Sequence, residues 1–144
     1  MAAARLRLAL MAACLFAGAA AANPAQDYML YCMGCHGAQA EGVPGKIPPL
    51  AHALGLYMKT PAGRNYVLRV PGAANSALSD SELSAVLNWL AVSYSAGELS
   101  SDTPMFTPAE VAKLRHVPLE SVLAARREVI GAIAAAGQAP PLQY

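Results

Sequence analysis

Cys32-Met33-Gly34-Cys35-His36 is the stretch on which the reading of this chain turns. Two cysteines separated by two residues and followed at once by histidine form the attachment pattern of c-type haem. On one short helical turn, each of the two thiols can add across a vinyl group of the same porphyrin. The turn also carries the imidazole of His36 beneath the iron as a strong-field nitrogen ligand. Gly34 keeps that turn free of a side chain that would crowd the macrocycle. Cys32, Cys35 and His36 are therefore the expected cofactor-binding residues, His36 the expected iron ligand, and covalently attached haem c the expected cofactor. No catalytic residue is expected.

Three other readings of the pair each fail on something visible. A disulfide between Cys32 and Cys35 would close a ring too small to gain much entropy. A structural zinc site needs four ligands, and His52 and His116 show no paired spacing. A thioredoxin-type pair follows a strand within alternating strands and helices, whereas Ala25 to Tyr31 lacks β-branched residues and alternation.

Upstream, Met1 to Ala22 has the layout of an export signal, with Arg5 and Arg7 ahead of an apolar run from Leu8 to Ala21. That run is too short to span a bilayer. Small residues at Ala20 and Ala22 place cleavage before Asn23, so residues 1–22 are expected to be removed and the mature chain to be periplasmic, with no transmembrane span. The third cysteine, Cys14, lies inside this leader. A lipidation site there is disfavoured because so little apolar sequence separates it from Arg7. Removing Arg5 and Arg7 leaves eight basic residues against nine acidic ones, a net charge of −1. No basic run is present to neutralise a series of phosphates, which argues against a nucleic-acid partner. The whole chain of 144 residues is 56% hydrophobic and 13% charged, enough to fold as one domain and too small for a multidomain enzyme.

Downstream, the pattern is helical throughout. Asn23 and Pro24 provide a cap and a first helical residue. The density of Gly and Pro from Gly37 to Pro49 predicts an ordered loop. Thr60-Pro61 opens a helix with Tyr66, Val67 and Val70 as its apolar stripe, ended by Pro71-Gly72 and followed by a loop from Ala73 to Leu78. Ser79-Asp80-Ser81-Glu82 is a capping box, and Leu83, Val86, Leu87, Leu90 and Tyr94 follow at helical spacing. Gly97 to Thr103 supplies a hinge. Beyond it, Thr107-Pro108 starts a short helix and Pro118 is expected to start another, with Leu119, Val122, Leu123, Val129, Ile130 and Ile133 on one side. The division expected is a haem domain over residues 23–96 and a C-terminal helical extension over residues 97–144 that docks on it.

Together these residues resemble the small monohaem cytochromes c: Tyr28, the Cys32 to Gly37 segment, Pro48-Pro49-Leu50, and Leu78-Ser79-Asp80 leading to Asn88-Trp89-Leu90. The resemblance spans about Ala25 to Tyr94. It implies an all-α fold wrapped around one haem, with the first and last core helices crossing so that Tyr28 or Tyr31 meets Trp89 or Tyr94. It also implies that a carbonyl of Pro48 or Pro49 accepts from Nδ1 of His36. One feature departs from the family. The loop that usually holds the distal methionine corresponds to Gly72 to Ala77, where there is none. Met29 and Met33 lie too near the attachment turn to reach the far side of the iron. Met58, Met105, another group such as His116, or an open position remain as candidates for the sixth site. His52 and Trp89 are expected as surface and core residues respectively. Arg64 and Arg69 are expected on a solvated helix face, with pairing to haem propionates as the alternative.

The function expected is that of a periplasmic one-electron carrier, exchanging electrons with redox partner proteins such as a dehydrogenase or an oxidase. Two other classes compete. One is an open-site haem protein that binds a small ligand or peroxide. The other is the haem subunit of a larger dehydrogenase, with the extension used for docking.

Overall fold

Asn23 begins the described chain as a helix cap, its Oδ1 accepting from the backbone N–H of Ala25 at 3.1 Å and of Gln26 at 3.4 Å. The computed structural model describes residues 23–138. The leader with Cys14 and its cleavage point lies outside these, as do residues 139–144. Helix α1 runs Pro24–Tyr31, and a break at Cys32 leads into α2, Met33–His36. Then come α3, Leu54–Met58; α4, Pro61–Arg69; α5, Pro71–Ala74; α6, Asp80–Tyr94; and a 3-10 turn at Ala96–Glu98. Helices α7, Pro108–Leu114, and α8, Val122–Ala135, complete the order. Among the described residues the only extended pairing is an isolated bridge between Val43 and Ile47, so the fold is all-α.

Each cap predicted from sequence at Ser79 and Thr107 forms. The Ser79 hydroxyl accepts from Glu82 N–H at 3.3 Å while the Glu82 carboxylate accepts from Ser79 N–H at 2.8 Å, satisfying two end donors of α6. Tyr28, 2% exposed, packs its ring 5.7 Å from that of Trp89 and 6.4 Å from that of Tyr94, and its hydroxyl donates to the Gly37 carbonyl. The crossing of α1 and α6 is thereby fixed, and the helix that leads into the Cys32–His36 turn is tied to α6, the longest helix among the described residues.

Three elements differ from expectation. Helix α3 has no local signal in the sequence, with only five residues, no side-chain cap and a glycine inside. That glycine is a contact requirement: a Cβ at Gly55 would lie 2.8 Å from the Ser95 carbonyl oxygen, and its N–H donates to Ser95 Oγ at 2.9 Å. Pro71 does more than end α4, since it occupies the first position of the single-turn helix α5, where its missing N–H costs nothing. Pro118 does not start the last helix. Arg69 donates to the carbonyls of Val117 and Pro118 and holds this segment off the helical path, and Ser121 caps α8 instead. Leu123, expected on the inward stripe, is 54% exposed.

The extension is held by buried cations. Arg64, expected on a solvated face, is 9% exposed and donates to the carboxylate of Glu110 in α7 and to the carbonyls of Met58, Pro104 and Met105, with its guanidinium 4.4 Å over the Phe106 ring. Arg115 donates to the carbonyls of Leu78 and Ser76, both at 2.8 Å, and to Asp80 at 3.1 Å, so α7 closes over the short loop before α6. Farther along, Val129 and Ile133 are buried where α8 packs on α3 and α4. The apolar face of the last helix is thus covered within the chain.

Replacing Arg115 by Ala leaves those carbonyls without their charged donor, and should cost about 2–3 kcal/mol of stability in denaturant unfolding of the intact chain. A loss below about 0.5 kcal/mol would place no structural weight on this contact.

Candidate functional site

The turn with the two thiols and the imidazole opens on a cavity of about 370 Å³ whose walls are mainly apolar. Cys32, Cys35 and His36 form one side of it. Pro48, Pro49 and Leu50 continue that side, α4 and α6 contribute Val67, Leu83, Val86 and Leu90, and α8 closes it with Val122 and Arg126. Every helix except α7 puts at least one residue on this wall, so the core of the protein is arranged around the space.

His36 is oriented before any ligand arrives. Its Nδ1 lies 3.1 Å from the carbonyl oxygen of Pro48, which fixes the ring and leaves Nε2 as the nitrogen with a free lone pair. Burial lowers the pKa of His36, and the Pro48 hydrogen bond only partly opposes this, so the ring favours the neutral form that a metal requires. Cys32 is half-buried. Burial, then the charges of Asp27 and Cys35, push its thiol up, so the group stays S–H, the form that adds across a vinyl double bond. Cys35, in the same turn, is exposed. Tyr28, behind this turn, is pushed up to about 12, chiefly by burial, and remains a phenol that donates.

A flat, largely apolar macrocycle with acidic edge groups fits these walls. The thiols and imidazole stand on one side and a cation on another. That cation is Arg126, 5% exposed, whose Nη1 donates to Tyr57 Oη at 3.0 Å. Burial raises the Tyr57 pKa and the Arg126 charge pulls it down, so Tyr57 acts as an acceptor toward the guanidinium. Arg126 is not among the residues that the motifs single out. A signal was present, because it lies four residues after Val122 and three before Val129, on the same helical stripe as the buried positions. An arginine in an apolar stripe demands a buried partner.

The other residues singled out from sequence lie elsewhere. Arg64 and Arg69 do not pair with the space the cofactor would fill as propionate partners. Arg64 clamps the extension, and Arg69 binds Asn65 and the Val117 and Pro118 carbonyls. Met58 is fully buried in the core but is not on the cavity wall, and Met105 is 42% exposed. His116 is exposed, and the His52 side chain, 81% exposed, lies 3.4 Å from Glu98. Trp89 is half-buried and packs beside Tyr28 and Tyr94 against the edge of the core.

Two curated proteins resemble the chain over most of its length, both called cytochrome c-552. One, from a named strain of Thermus thermophilus, is 32% identical over 146 residues, covering 86% of this chain and 98% of the relative. A second, from Thermus thermophilus, is 31% identical over 118 residues, covering 68% of this chain and 90% of the relative. No protein-family model matches the chain.

Because Arg126 is a buried charge on the cavity wall, Arg126→Met should lower the reduction potential of the haem-loaded protein, since a nearby cation stabilises the electron-richer ferrous state. Spectroelectrochemical titration reads this directly. An unchanged potential would contradict a site that places the cofactor beside Arg126.

Proposed function

The chain belongs to the small c-type cytochromes, and from that membership we propose that it is an exported one-electron carrier in which Cys32 and Cys35 hold a single haem c and His36 ligates its iron. The observation that carries this reading is the placement of both thiols and a pre-oriented imidazole on one wall of an apolar cavity. When bound, the haem supplies the chemistry, its iron alternating between the ferrous and ferric states.

The residues of this chain bind, orient and tune. Cys32 and Cys35 would hold the cofactor, each thiol adding its hydrogen and its sulfur across a vinyl group to leave a thioether bond that prevents dissociation. The Pro48 carbonyl holds the His36 ring at a fixed angle and makes Nε2 a stronger donor. Apolar walls from α4 and α6 would limit the water around a bound haem and so favour its less charged oxidation state. Arg126 and Tyr57 offer donors suited to an acidic edge group, and the guanidinium is held in place before the cofactor enters. Residues 97–144 are proposed as an extension distinct from a haem domain over residues 23–96, with α8 serving as one wall of the site. Electron exchange then needs only a haem edge near the surface, beside the exposed Cys35.

The partners proposed are redox proteins of the same compartment, a dehydrogenase as donor and an oxidase as acceptor. Residues 1–22 are proposed as the export signal, with the periplasm as destination, the compartment suggested by their charge and apolar pattern. Among the described residues no helix is long and apolar enough to cross a membrane.

Expression with periplasmic cytochrome maturation, followed by mass spectrometry of the denatured chain, tests the assignment. The expected product begins at Asn23 and carries one haem that survives denaturation. Cys32→Ser and Cys35→Ser should each retain a single thioether, and His36→Ala should lose the native absorption spectrum. A wild-type chain that folds without covalent haem would overturn the proposal.

A further inference from the structure

A haem ligated by His36 has a second axial position, and its occupant is decided by what the rest of the cavity wall can offer. A protein ligand there must be a thioether, an imidazole, an amine or another strong donor. The four methionines of the described residues fail on placement. Met58 is buried off the wall with its carbonyl bound to Arg64, Met105 and Met29 are 42% and 54% exposed, and Met33 sits inside the attachment turn, off the wall. The two other histidines are exposed and off the wall. Lys46 is exposed and belongs to the loop that holds Pro48, on the side of His36. Tyr57 is engaged with Arg126, Tyr66 packs its ring 5.7 Å from that of Tyr57, and Tyr31 ends α1 directly beside Cys32, on the side of His36.

The wall formed by α5, the loop after it and the start of α6 is made of small and apolar groups: Gly72, Ala73, Leu83, Val86 and Leu87. Ser76 is the one hydroxyl there, and Arg115 already donates to its oxygen at 3.2 Å and to its carbonyl at 2.8 Å. This stretch is short because Pro71 starts a helical turn almost at once and Arg115 ties the loop down from the other side. It has neither the length nor the side chain to deliver a ligand.

We infer that none of the described residues ligates the iron of this carrier in its sixth position, and that the Ala73, Leu83, Val86 and Leu87 wall forms a binding site for a small uncharged diatomic ligand of the carbon monoxide and nitric oxide class. The inference rests on the haem-carrier reading above. A wall made mainly of Ala73, Leu83, Val86 and Leu87 favours a neutral molecule, because burying an anion against these side chains would cost free energy that they cannot return as hydrogen bonds. A diatomic bound through a single atom to ferrous iron needs room and apolar surroundings, and the cavity supplies both. Electron transfer through the haem edge is compatible with this, while reversible occupation of the sixth position gives the carrier a means of being slowed or retuned by such a ligand.

The test uses the full haem-loaded chain, with carbon monoxide as the probe for the ferrous form and azide for the ferric form. The expected results are a high-spin ferric spectrum without a thioether band, stoichiometric binding of one carbon monoxide per haem, and weak azide binding. Met58→Leu and Met105→Leu should each change the carbon monoxide affinity by less than about threefold. A low-spin ferric spectrum whose thioether band disappears in either methionine variant overturns the inference, as does failure of carbon monoxide to bind. Tight azide binding lost in Arg126→Gln overturns the assignment of an uncharged ligand. A chain that takes up no haem overturns the carrier reading together with this one, whereas a haem-loaded chain with a closed sixth position overturns this one alone.

Discussion

The hydrogen bond between Nδ1 of His36 and the carbonyl of Pro48 is the contact that gives the surrounding fold its purpose. An imidazole free to turn could not serve as the fixed ligand proposed, and a loop free to move could not fix it. The segment from Gly37 to Leu50 is therefore tied at several points. Leu50 and Ala51 N–H groups both donate to the Ala40 carbonyl, and Gly42 N–H donates to the His36 carbonyl at 2.8 Å. Gly42, with φ of +70°, lies where a Cβ would meet the Ile47 carbonyl at 2.4 Å, so the loop can fold back tightly only with glycine there. Once that loop is set, the apolar faces of α4 and α6 have a space to line rather than a partner to interlock with.

Such a space is costly when empty, because its lining side chains lack contacts. The chain compensates by closing the remaining sides with its own C-terminal third. Arginine side chains anchor this closure. Arg64, Arg69 and Arg115 each bind backbone carbonyls across distant segments, joining α4 to the chain around Pro104 and Pro118, and α7 to the loop before α6. Arginine suits that task because its planar fork satisfies several acceptors at once and stays charged. Arg126 differs from these three by lining the cavity itself. The extension is thus joined to the functional site through α8 as well as to the fold through α7.

Much of this was legible in the sequence, and the parts that were not share a physical cause. The short helix at Met33–His36, the capping box at Ser79 and the caps at Asn23 and Thr107 depend on neighbours within a few residues, so their pattern is local. The Tyr28 to Trp89 contact and the Pro48 acceptor followed from family resemblance. Helix α3, by contrast, is stabilised from outside, through Ser95 against Gly55 and the packing of Leu54 and Met58 in the core. The true start of α8 depends on Arg69, which lies far back along the chain in α4. The roles of Arg64 and Arg126 likewise arise from partners that no short-range pattern reveals. Long polar side chains in amphipathic helices look solvated until the element covering them is placed.

The central claim is that a single covalently held haem in this cavity makes the chain a one-electron carrier. Potentiometric titration of the purified, haem-loaded protein, followed by its visible absorption, tests that claim most directly. The account predicts one reversible transition that follows a one-electron Nernst curve and superimposes in the oxidising and reducing directions. A haem that cannot be cycled reversibly, or two separate transitions in one chain, would contradict it.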